Sequence, residues 1–149
     1  MATQRARTTD IIASVEEYFA NQWPDPSVQR VPTAHEAVSG ESGTLGDAWV
    51  GVQWIGPEPN MTRPSYSWVN FDLRILCYST RQDRLHASQL GDDFAELVHE
   101  TVIPLLDRTD GTTELGSIQF YAAAVLPPQV DSRGVRASIV DVSAGVFVS

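Results

Sequence analysis

The chain has 149 residues, 42% of them hydrophobic, and 19 acidic against 10 basic side chains give it a formal charge of −9. That length fits one domain, residues 1–149, able to bury roughly 70% of the surface its unfolded form exposes. The acidic excess argues against a protein that grips nucleic acid by its phosphates, and a lone cysteine, Cys77, excludes an internal disulfide framework.

The first element is TTDIIASVEEYFANQWPDP, where Ile11, Ile12, Val15, Tyr18, Phe19 and Gln22 or Trp23 recur at helical spacing. Thr9 or Asp10 can cap its start, and Pro24 and Pro26 forbid continuation. Residues 24–46 read as a weak strand near Val28 to Val31 and then a long loop through SGESG. DAWVGVQWI, residues 47–55, is a strand. GPEPNMTRPS holds three prolines, too long for a tight hairpin and too proline-rich for a helix. SWVNFDLRILCYS then alternates Val69, Phe71, Leu73, Ile75 and Cys77 on one side with Trp68, Asn70, Asp72, Arg74, Leu76 and Tyr78 on the other. The first side is a core face, and the strand pairs antiparallel with its predecessor. The second side is neither uniformly polar nor uniformly apolar.

Ser79-Thr80-Arg81-Gln82 has the form of a capping box, so a helix is expected to start there. Leu85, Ala87, Leu90, Phe94, Leu97, Val98, Thr101 and Val102 keep one face apolar until Pro104, with Gly91 a local weakness of about 1 kcal/mol. After the turn DRTDGT come two strands, SIQFYAAAV and GVRASIVDV, separated by LPPQVDSR, and then a short apolar tail. The expected fold is α+β, a mainly antiparallel sheet with two helices packed on one face.

Tests for chemistry find little. GESGT, residues 40–44, misses the second glycine of a nucleophile elbow, and no apolar strand precedes Ser42. His86 and His99 lie thirteen residues apart on one expected helix, a rotation of about 220°, and cannot share a metal with each other; His35 is remote in sequence. No metal frame and no cofactor motif is present. Cys77 sits on an apolar face, where a thiol's pKa rises and it packs as a small hydrophobe. No catalytic residue is assigned. No apolar run approaches the ~18 residues of a membrane span, and MATQRARTTD lacks a signal peptide's apolar stretch, so a soluble, intracellular protein is expected and Asn60 of Asn-Met-Thr is an idle glycosylation match. Every basic residue is arginine and lysine is absent. Coding bias is the plainer account, although Arg also suits fixed planar contacts. Asp92, Asp93, Glu96 and Glu100 form an acidic stripe on the long helix, read first as a solvated face.

In its order of elements the chain resembles the tail terminator, or tail-completion, family of long-tailed bacteriophages. The resemblance rests on DIIASVEEYFANQ, on AWVGVQWI, and above all on VNFDLRILCYSTRQDRLHASQLGDDFAELV, an amphipathic strand ending in an aromatic-Ser pair and leading into a helix. Neck and head-completion proteins of the same viruses share this outline. The resemblance implies a structural virion protein in the tail or neck, assembled in the host cytoplasm. It would form a homo-oligomeric ring, usually a hexamer, that stops growth of the tail tube and meets the tube protein on one side and the head connector on the other. DNA would only pass through the channel, with no specific nucleic-acid contact and no membrane partner. On this reading Met61, Arg63, Tyr66, Trp68, Arg74 and Tyr78 are interface residues, and Asp92, Asp93 and Glu96 face the lumen and repel the DNA backbone. A neck protein, a monomeric binding domain and a small enzyme are the alternatives.

Overall fold

The computed structural model of the chain describes residues 8–31, 47–55, 68–130 and 134–148. Among them are two helices, α1 (Thr8–Asn21) and α2 (His86–Val98), and eight strands. The strands are β1 (Gln29–Val31), β2 (Ala48–Ile55), β3 (Trp68–Ser79), β4 (Val102–Leu106), β5 (Glu114–Phe120), β6 (Ala124–Val125), β7 (Gln129–Val130) and β8 (Arg136–Val148). The fold is therefore α+β and mainly sheet. All of the pairings are antiparallel except that of β1, which runs parallel to β2.

The spatial order is β1-β2-β3-β8-β5-β4, with β6 and β7 also on β8. β3 and β8 form the spine, in register from Trp68 opposite Phe147 to Ser79 opposite Arg136. The apolar tail foreseen as a separate piece is the second half of β8, because the alternation of GVRASIVDV continues through SAGVFV without a turn residue to stop it. On its other edge β8 meets β5, β6 and β7 in succession. Tyr121 to Ala123 lie opposite only Val142 and Ser143, and Leu126 to Pro128 opposite only Ser138 and Ile139. Each extra residue is a bulge, so residues 114–130 run along β8 as one twice-bulged strand.

One side of this sheet is dry. Val50, Val52, Phe71, Leu73, Ile75, Cys77, Val140, Val142, Ala144 and Val146 share a single cluster with Ile11, Val15 and Phe19 of α1 and Leu90, Phe94 and Val98 of α2. Pro24 follows α1 as its helical spacing requires, and Trp23 turns back to donate its indole N–H to the Val28 carbonyl at 2.9 Å while meeting Phe94 edge-on at 4.9 Å. The Tyr18 hydroxyl donates to the Leu97 carbonyl at 2.6 Å, joining the two helices. Burial pushes the Tyr18 phenol above its ordinary value. Ile12, placed on the core side by spacing alone, is exposed.

The second helix differs from its expected form at both ends. Ser79 is the last residue of β3, opposite Ala48 and Arg136, so it stays extended instead of capping a helix. Its Oγ accepts the Arg81 N–H at 3.2 Å in a local turn. Asp83 then accepts the Leu85 N–H, and α2 begins at His86 behind an N-cap, Leu85, with no side-chain capping bond. Leu85 is consequently 71% exposed and belongs to no core face. At the far end the helix stops at Val98, where the C-cap His99 turns extended with ψ 119°, and Glu100 follows with a left-handed φ of 48°. Thr101 and Val102 therefore leave it, and 102–106 is an edge strand. There Ile103 and Leu105 point inward while Val102 and Pro104 are exposed, and Pro104 is tolerated because an edge strand does not need its N–H.

Gly91, a weakness by helix propensity alone, has a packing reason. A Cβ there would stand 2.1 Å from Ser138 Oγ and 3.0 Å from its Cβ. The glycine is what lets α2 rest on β8. The turn 107–113 follows its sequence signal: Asp107 accepts the Thr109 N–H and Asp110 those of Thr112 and Thr113; the Thr113 hydroxyl, which also donates to Asp110, and then these N–H groups hold the Asp110 carboxyl down at about 2.

Candidate functional site

The even-numbered side chains of β3 and the odd-numbered ones of β8 share the opposite side of the sheet, because the two strands pair residue for residue and successive side chains alternate. This outer face has three zones. At one end Trp49 of β2 and Tyr78 of β3 stack with ring centres 5.7 Å apart, packed with Val135 and the half-buried Leu76 and Ala137. Trp49 is buried to 4% exposure, and its indole N–H is the only buried side-chain nitrogen or oxygen among the described residues that finds no hydrogen-bond partner.

The middle zone is polar and paired. Arg74 grips Asp141 by two parallel bonds, Nε to Oδ1 at 2.8 Å and Nη2 to Oδ2 at 3.1 Å, a fork geometry that Lys could not reproduce. That bonding raises the Arg74 pKa further above its ordinary value. Beside it Ser143 Oγ donates to Asp72 Oδ1 at 2.6 Å. These groups form the floor of a cleft of about 350 Å³ whose walls are Ile55, Ala122 and Ala124. The bulge at residues 121–123 sets that wall, since Tyr121 N–H still donates to Ser143 O at 2.9 Å while the chain swings away from β8 before β6.

The far end is aromatic. Tyr121 crosses over Gly145, where a Cβ would sit 2.5 Å from its hydroxyl and 3.3 to 3.4 Å from Phe147 and Asn70 atoms. Glycine at 145 is thus a slot for the tyrosine. Tyr121 and Phe147 are each 37% exposed, so both rings show apolar surface next to the cleft.

Of the interface residues expected from sequence, Arg74 and Tyr78 lie on this face, Arg74 at the cleft and Tyr78 turned into the Trp49 stack at 6% exposure. Trp68 opens β3 opposite Phe147. Met61, Arg63 and Tyr66 lie outside the described residues, as do His35, Ser42 and Asn60. Asp72, Tyr121, Asp141, Ser143 and Phe147 were missed. Asp141 and Arg74 carry opposite signs on alternating strands, but only the register puts them side by side.

The acidic stripe occupies the outer side of α2, with Asp92 and Glu96 exposed and Asp93 half-buried. The Asp93 carboxyl is raised above its ordinary value, first by burial and then by the charges of Glu96, Asp92 and Asp25. Asp25, in the turn after α1, extends the stripe across a second element.

The remaining polar groups bond to one another and to the backbone. His86 lies between Ser79 Oγ at 2.8 Å from Nδ1 and Arg81 Nη1 at 3.0 Å from Nε2. A guanidinium only donates, so Nε2 accepts and the Nδ1–H donates to the buried serine. A nucleophile with its base needs the opposite polarity. Arg81 also pairs with Asp47 at 3.1 Å, and Arg136 donates to its carbonyl, tying the entry of α2 to β2 and β8. His99, at the far end of the helix, is exposed and accepts the Ala123 N–H. The Cys77 thiol is fully buried, and that burial, with the Asp93 charge, pushes its pKa far up. Among the described residues no group of three or more His, Cys, Asp or Glu could hold a metal ion, and no helix is long and apolar enough to cross a membrane.

No protein-family model matches this chain, and no curated protein sequence does. The functional reading therefore rests on the residues and their geometry.

Proposed function

We propose that the protein is a structural subunit of the bacteriophage tail-terminator kind, assembling as a ring at the head-proximal end of a tail tube. The observation that carries this reading is the outer face of β3 and β8, where the exposed Tyr121 and Phe147, a cleft and a bidentate ion pair stand side by side among the described residues. Aromatics and Arg are the residues enriched where proteins meet. In this reading both helices cover the inner face and leave the outer one for contact, which the shared core of Ile11, Val15, Phe19, Leu90, Phe94 and Val98 supports.

The charge suits such a role. A ring repeating a −9 subunit around a channel, with Asp92, Asp93 and Glu96 toward the lumen, repels the DNA backbone and lets it pass without sticking. The partners are further copies of the chain, the tail tube and the head connector, and the protein acts in the virion without catalysis or cofactor. Solution mass against the 16.4 kDa chain, with imaging of the purified protein, tests the ring. Adding the protein to tail assembly in a terminator-deficient background tests the role, with tails of uniform length as the expected result. A monomer at all concentrations, or tails still of unregulated length, overturns the reading.

A further inference from the structure

We propose that the outer-face cleft receives the Arg84–Leu85 corner of a second copy of this chain, so that subunits join head to tail. The proposal rests on the ring reading above and adds the surfaces that meet. Leu85, with 71% of its surface open, is the most exposed of the large hydrophobic side chains described, and Arg84 beside it is exposed too. Both stand at the start of α2, on the side of the sheet that this helix covers, since Gly91 of the same helix rests on Ser138. The cleft opens on the opposite side. Its walls, Ile55, Ala122 and Ala124, suit a leucine, and its floor sets the carboxylates of Asp72 and Asp141 against the one guanidinium of Arg74. A floor with that net negative balance complements Arg84.

Two different, complementary patches on opposite faces make a heterologous contact, which closes into a ring where the rotation allows; a single self-complementary patch would stop at a two-fold dimer. Joining by strand addition is obstructed at the described edges. Phe120 N–H donates to Thr101 O, which turns the backbone groups of Val102 and Pro104 to the open side of β4, and Pro104 has no N–H to offer. Leu106 N–H is already taken by Ser14 Oγ at 3.0 Å. β6 and β7 are separated by Pro127 and Pro128, and β1 is only three residues long. Side-chain docking between faces is what remains.

The test pairs Leu85→Cys with Ala124→Cys in the full chain. Mild oxidation should give a ladder of disulfide-linked multimers on a non-reducing gel, absent from either single variant, and buried Cys77 does not compete. Separately, Arg84→Glu with Leu85→Asp, both at exposed positions, should raise the concentration needed for assembly by at least about tenfold without lowering the melting temperature of the subunit, since Asp is a better N-cap than the leucine it replaces. If the wild-type protein forms rings, yet the double cysteine variant gives no ladder and the charge-reversed variant assembles normally, this contact is wrong and the ring reading stands. If cross-linking stops at dimers, the head-to-tail geometry is wrong. A wild-type protein that is monomeric at every concentration overturns both.

Discussion

The two sides of β3 are built from the same twelve-residue strand and do different physical work. On the inner side Phe71, Leu73, Ile75 and Cys77 belong to one buried cluster with residues of both helices and of β8, and each contributes through volume and exclusion of water. On the outer side Asp72, Arg74 and Tyr78 each have one specific partner, Ser143, Asp141 and Trp49. The inner side holds the domain together. The outer side contributes less to stability and, in the proposed assembly, presents shape and charge to a partner, so the two should separate cleanly under mutation.

The largest effect is expected at the centre of the inner side. Leu73→Ala removes a fully buried side chain and should cost about 2–5 kcal/mol by denaturant unfolding, through lost transfer energy and the cavity left behind. A loss below about 1 kcal/mol would mean that the inner face repacks freely and that the contrast between the sides is weaker than drawn. Gly91→Ala comes next. Helix propensity alone favours alanine by about 1 kcal/mol, but the 2.1 Å approach of Ser138 Oγ forces overpacking, so a net destabilisation of about 1–3 kcal/mol is expected. Ser138→Gly in the same background should lessen that cost in a double-mutant cycle, and stabilisation by Gly91→Ala alone would show that α2 does not seat on β8 as described.

Cys77→Ala should lower stability by about 1–2 kcal/mol and leave assembly unchanged. A thiol reagent should label Cys77 only at the rate of unfolding, because burial keeps the thiol protonated and inaccessible. Rapid labelling of the native protein would contradict the sealed inner side. The smallest effect belongs to the outer side. Arg74 and Asp141 keep 38% and 36% of their side-chain surface in solvent, so solvent screening should hold their coupling energy to about 1 kcal/mol or less, falling further with added salt. If the outer face is a contact surface, Arg74→Ala should nevertheless impair assembly more than it impairs folding. Equal loss of both would reduce the pair to a structural brace.

Much of the fold could be read from local pattern. Strict alternation from Val69 to Cys77, and again along β8, requires strands with one apolar side, because side chains on an extended chain point to opposite faces. Helical spacing from Ile11 to Phe19 ended by Pro24 requires α1, and Asp107 and Asp110 supply their own turn. Element boundaries depended on more distant partners. Ser79 carries a capping signal, but Ala48 and Arg136 hold it in the sheet, and Val102 continues a helical phase that the extended His99 and the left-handed Glu100 have already ended. A two-residue period and a helical face agree over so short a run, so sequence could not choose between them.

The candidate site was less legible still. Charge, the solitary cysteine and the mixed outer side of β3 follow from residue identities, because composition and alternation need no knowledge of distant contacts. Which residue meets which does not follow, because register is a property of two strands together and a shift of one residue would turn Asp141 to the other face. The tertiary structure alone set Asp141 against Arg74, laid Tyr121 across Gly145 through a bulge, and seated α2 on Ser138 at the one residue without a side chain.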